Sequence, residues 1–150
     1  MTKRTIFSIV LLLGFLGAYF YMNDFFRTAP IEITPSIRPG SVSRLNPDVY
    51  PVSFMLDGKY RLTSVKVISV ADAVTNKYPR PIWHMISDSA SSQTKIIVYG
   101  APIKGMKPSV PKARPEPLQP NVPYRLLVEA GKRKGQVDFK TIEAVPPPKP

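Results

Sequence analysis

The chain has 150 residues, with 21 Lys and Arg against 10 Asp and Glu and a formal net charge of +11. With no Cys and one His, it lacks the material for disulfides, zinc–thiolate sites, thiol catalysis or His-rich metal clusters. A hydrophobic share of 43% argues for a packed core in spite of 18 Pro.

The first feature in chain order is apolar. Lys3 and Arg4 precede 19 residues without charge, Thr5 to Asn23, and Asp24 follows. As a helix this run spans about 28 Å at about 1.5 Å per residue, close to the thickness of a bilayer's hydrocarbon core. Residues 1–27 are therefore expected to be a membrane anchor carried by Ile6, Leu12, Phe15, Tyr19 and Phe20. Tyr21, Phe25 and Phe26 extend an aromatic cluster suited to the headgroup level. Cations before the run place the N-terminus in the cytoplasm and the remainder outside it. A signal peptide cleaved near Leu16-Gly17-Ala18 is the rival reading, but the apolar run continues through Phe20 and Met22 instead of turning polar.

Residues 28–144 then read as one domain of short strands. Ile31 to Thr34 alternates, and Pro35 fits an edge strand or a switch between sheets, because it has no N–H for a ladder. Val52, Phe54 and Leu56 share one face of the next strand. Asp57-Gly58 has the composition of a two-residue hairpin turn, after which Tyr60 and Leu62 point inward. The phase shifts near Thr63-Ser64, which predicts a bulge or a strand buried on both faces. Ala71 to Pro81 is a loop or one helical turn. Ile82-Trp83-His84-Met85-Ile86 is a core strand, Asp88 to Gln93 a loop, and Lys95 to Tyr99 a β-branched strand. Seven Pro in the 23 residues from Ala101 to Pro123 make that stretch a long connection lying along a sheet edge. Tyr124, Leu126 and Val128 share a face, Gly131 to Gly135 turns the chain, and Val137 and Phe139 return inward. The tail, residues 145–150, is Pro-rich and extended.

The segment Pro117 to Ala130, followed by Gly135 and Phe139-Lys140-Thr141, resembles the last hairpin of fibronectin type III-like and immunoglobulin-like domains. In those families a Leu and a Pro precede a core Tyr that opens a strand. The first half of the chain departs from the pattern, since Trp83 sits mid-chain instead of in an early strand. The resemblance and the strand pattern together imply an all-β immunoglobulin-like β-sandwich of about seven strands, preceded by one N-terminal transmembrane helix. They imply no catalytic residue.

The chemistry left open is sparse. No two carboxylates have the spacing of a paired acid and base, and no calcium loop or Gly-rich phosphate loop is present. His84, Met85, Met55 and Met106 could be soft metal ligands, but their scatter favours a strand His at the core rim with Met filling gaps. The chain is thus expected to need no cofactor and to be no enzyme. From Thr28 onward, 18 cations face 9 carboxylates. Lys132, Arg133 and Lys134 form the densest cluster, with Lys104 and Lys107 on the Pro-rich connection, and these five are the candidate anion-binding residues. The function expected is a membrane-anchored, extracytoplasmic interaction module for a protein partner in the cell envelope, periplasmic if the cell is bacterial. The alternative is a basic domain that binds anionic envelope polymer or lipid headgroups. Nucleic acid is not an expected partner, because no recognition motif is present.

Overall fold

A computed structural model describes residues 2–22, 28–41, 45 and 47–145. It is mostly β, with two antiparallel sheets and one apolar N-terminal helix, α1 (Lys3–Met22). The helix is 20 residues long, its most apolar 18-residue stretch has a mean hydropathy of 2.0, and none of its residues is buried. Ile6, Leu12, Phe15, Tyr19 and Phe20 are all solvent-exposed on it, and the Tyr19 and Phe20 rings meet edge-on at 6.0 Å. An all-round apolar helix with no buried face has no partner in the β domain, which fits a lipid environment. Asp24, Phe25 and Phe26 lie outside the described residues, as do 146–150 of the tail.

The smaller sheet holds β1 (Ile33–Ile37), β2 (Val52–Arg61) and β5 (Gln93–Val98), with β2 central. The larger sheet has the order β6-β4-β3-β7-β8, from β3 (Ser64–Ser69), β4 (Pro81–Ile86), β6 (Lys107–Pro108), β7 (Pro123–Ala130) and β8 (Arg133–Lys140). A single helical turn and a half, α2 (Val70–Thr75), links β3 to β4. The eighth strand beyond the seven expected is the two-residue β6, cut from the Pro-rich connection as it passes the edge of β4.

Two expectations are corrected, the Asp57-Gly58 turn and the bulge or doubly buried strand near Thr63-Ser64. Asp57-Gly58 is not a hairpin turn: β2 runs through it, with β1 on one side and β5 on the other. The extra residues are absorbed by a register shift between Met55 and Tyr60, and the Tyr60 hydroxyl donates to Asp57 Oδ1 at 2.9 Å. The phase shift near Thr63 is a change of sheet. β2 ends at Arg61, Leu62 is fully buried, and Ser64 already pairs with Glu129 and Ile86 of the larger sheet. Leu62 N–H donates to Ser91 Oγ and Thr63 N–H to the Glu129 carbonyl, so the crossing leaves neither donor unpaired.

The expected core residues Phe54, Leu56, Leu62, Trp83, Tyr124, Leu126, Val128 and Phe139 are all buried. They belong to one cluster fed by both sheets, joined by Val49, Ile97, Ile103 and Leu118. Phe54 of β2 meets Phe139 of β8 edge-to-face at 4.8 Å, and Trp83 meets Tyr99 at 5.2 Å. The sheets are also tied at their margin. Ile31 N–H donates to the Lys134 carbonyl at 3.0 Å before the chain moves over to pair with β2. The switch between sheets therefore occurs ahead of Pro35, which sits on the edge strand β1. This crossing needs Gly135: a Cβ there would lie 2.9 Å from the Ile31 Cβ and closer still to its carbonyl oxygen.

Leu126 is fully buried at the centre of β7, so Leu126→Ala should destabilise the domain by about 2–5 kcal/mol. Urea unfolding measures this, and a cost below about 0.5 kcal/mol would be that of a surface position.

Candidate functional surfaces

The five candidate cations occupy one end of the β domain, in a different arrangement from the one expected. The last hairpin turns on two residues, Gly131 and Lys132, with Gly131 at φ +62°. Only glycine takes that conformation at no steric cost, so the turn closes tightly and Arg133 and Lys134 become strand residues. Of the three clustered cations, Lys132 alone is at the tip. Lys134 pairs with Glu129 across the strands at 3.3 Å, and the Arg133 guanidinium lies 5.8 Å from the centre of the Tyr60 ring. Lys107 is paired with Asp88 at 2.7 Å. Lys104 and Lys132 make no ion pair among the described residues.

Strand register shows how these groups share a level. Lys107 is opposite Ile86, Ile86 opposite Ser64, Ser64 opposite Glu129, and Glu129 opposite Lys134. One row thus crosses the larger sheet from Lys107 to Lys134, and the bond from Ile31 joins it at Lys134. Lys104 and Lys132 lie beyond that row. So do Lys59 and Arg61 at the same end of the smaller sheet, where Arg61 pairs with Gln93.

His84 stands on the outer face of the larger sheet, opposite Lys66 and 3.4 Å from Ser64 Oγ through Nε2. Met85 points to the core from the same strand, while Met55 is exposed on the far side of the smaller sheet. The soft ligands considered above therefore face three ways and do not converge. A Ser beside a His also suggests a nucleophile and its base, but Glu129 is engaged with Lys134, so no carboxylate orients the ring. Partial burial, aided by Lys66, lowers the His84 pKa below its usual 6.5. On the same face, two hydrogen bonds from Arg125, at 2.6 and 2.9 Å, hold the Asp138 pKa down.

A surface that the sequence reading did not single out lies on the smaller sheet. Met55, Ile96 and Val98 are 50%, 49% and 40% exposed, and Met55 is directly opposite Ile96. Their signal was the unbroken Ile96-Ile97-Val98: with Ile97 buried, alternation forces its two neighbours outward. β5 is an edge strand, and Ala101 to Lys104 runs beside it to form an open groove of about 240 Å³ with Thr94, Ile96 and Val98. The other edges are guarded. β1 carries Pro35, β6 is two residues ending in Pro108, and β8 is crossed at its start by Ile31. An open groove of about 580 Å³ lies at that crossing, lined by Ile31, Glu32, Ile33, Leu127, Glu129 and Lys134 among others.

The lowered His84 value gives stability a defined pH dependence. Above pH 6.5 the imidazole is neutral in both folded and unfolded chains and contributes nothing. As pH falls below 6.5 the unfolded chain takes up the proton first, so stability drops until the folded state protonates too. Urea midpoints should fall as pH drops below about 6.5, and His84→Gln should flatten that fall. An unchanged slope in the variant would assign the dependence to other groups.

No family model, no curated protein and no solved structure matches the chain.

Proposed function

We propose that this chain is a non-enzymatic, membrane-anchored interaction module. In this reading α1 is retained in the membrane with Lys3 and Arg4 on the cytoplasmic side, and the β domain stands outside, in the periplasm if the cell is bacterial. The domain is an immunoglobulin-like sandwich. Strand order supports that reading: first, second and fifth strands in one sheet, and fourth, third, seventh and eighth side by side in the other, correspond to A-B-E and C′-C-F-G. A tyrosine corner supports it as well. Tyr124, at the start of β7, accepts a hydrogen bond at 3.0 Å from the Gln119 N–H five residues upstream. The short Thr141 Oγ1 bond to the Gln119 carbonyl fastens that corner to the end of β8.

The observation that carries the function is the β5 edge. An exposed strand with apolar side chains at Ile96 and Val98, backed by Met55, is a template for an extended segment of another protein. Main-chain bonds would supply affinity, and the groove beside Ala101 to Lys104 would take side chains. Lys95 on the strand and Lys104 across the groove favour a partner segment that mixes apolar and acidic residues.

A photo-crosslinking residue at Ile96, in membranes holding the full chain, should give one discrete adduct. The same residue at Val110, exposed on the Pro-rich loop, should give none. Met55→Asp should abolish the Ile96 adduct while leaving the circular dichroism spectrum unchanged. Equal labelling from both positions, or an adduct that survives Met55→Asp, would refute the β5 assignment.

A further inference from the structure

The chain reaches the β domain from α1 at a defined place. Nine peptide steps separate Met22, the end of α1, from Ile31, which is bonded to Lys134. Fully extended, they reach about 30 Å at about 3.3 Å per step. The opposite end of the domain carries Val49, Tyr50 and Glu143 and lies one strand length further along. With α1 in a bilayer, the end that bears Ile31 is the one to which the linker is attached, so it can lie against the membrane surface with the linker slack.

That end holds seven of the 16 Lys and Arg among the described residues from 28 on. At or beyond the row from Lys107 to Lys134 stand Lys59, Arg61, Lys104, Lys107, Lys132, Arg133 and Lys134. Four carboxylates share the end: Glu32, Asp57, Asp88 and Glu129. Asp88 is already paired with Lys107 and Glu129 with Lys134, while Asp57 accepts from the Tyr60 hydroxyl. Five cations remain for Glu32 and Asp57. Among them Lys132 projects at the apex of a two-residue turn. Long basic side chains at a surface tethered this close are attracted to anionic headgroups, each adding to the others within a Debye length.

We propose that the Lys59, Arg61, Lys104, Lys132 and Arg133 end of the domain is a docking surface for the anionic phospholipid headgroups of the membrane that holds α1. The domain then stands with its strands directed away from the bilayer, its basic end down and its Tyr50–Glu143 end outermost. This surface meets the β5 groove at Lys104, which lines both, and rests only on α1 spanning the bilayer.

The absence of Cys makes the test direct, because a single introduced thiol is unique in the chain. A fluorophore on Ser89→Cys, in the exposed loop between β4 and β5, reports the basic end. One on Val74→Cys, 82% exposed on α2, reports the other end. The full chain is reconstituted in phosphatidylcholine vesicles with or without phosphatidylserine, each carrying a headgroup quencher. The Ser89→Cys label should be quenched several-fold more in the anionic vesicles than in the neutral ones. The excess should vanish near 0.5 M salt, where the Debye length is about 4 Å. It should also vanish in the Lys59→Ser, Lys104→Ser, Lys132→Ser background. The Val74→Cys label should stay unquenched throughout. Equal quenching of the first label in both lipids, an excess that persists in the triple variant, or stronger quenching at Val74→Cys would each overturn the proposal.

Discussion

The two sheets meet through Phe54 and Phe139, and the rest of the architecture depends on that contact. Phe54 sits near the start of β2, flanked by Pro35 and Ile97, and Phe139 near the end of β8, opposite Tyr124. Their rings pack edge-to-face, and Tyr124 stacks obliquely on Phe139 at 5.8 Å. In a chain with no Cys, apolar burial between the sheets must supply what a covalent bridge supplies in many exported domains of this size. Leu126 and Val128 on β7 and Leu56 on β2 fill the space beside the rings, each nearly or fully buried.

From this core follows the placement of everything on the surface. β8 lies at the margin of the larger sheet, and its start is the place where the incoming chain crosses from one sheet to the other. Ile31 is buried at that crossing and bonded to Lys134. The last hairpin, the β2 bulge and the connection before β6 all end on the same side. The cations they carry are therefore gathered by topology, although Lys59, Lys104 and Lys132 are far apart in sequence. The β5 edge runs along the side of the domain and meets the basic end at Lys104.

Much of the fold was legible because alternation is a strong signal when one face is buried. Val52-Phe54-Leu56 and Tyr124-Leu126-Val128 each put every second residue into the core, as read. Asp57-Gly58 misled because turn residues also suit a bulge, and only the partners of β2 on both sides distinguish the two. The basic cluster was legible as composition but not as geometry. Five residues between Ala130 and Gln136 look like a broad turn, yet Gly131 at positive φ closes the hairpin in two, which sends Lys134 to Glu129 and Arg133 to Tyr60. The β5 surface was hidden because three consecutive β-branched residues read as core, and which of them faces out is set by the neighbour on β2.

The coupling between Phe54 and Phe139 tests the central claim, that the two sheets form one core. Phe54→Leu and Phe139→Leu keep apolar bulk and remove the ring contact singly and together, and urea unfolding of the four chains closes a double-mutant cycle. Rings 4.8 Å apart should show a coupling of about 0.5–1.5 kcal/mol. Additive effects, within about 0.3 kcal/mol, would mean that the sheets do not share a core at this point and would contradict the account.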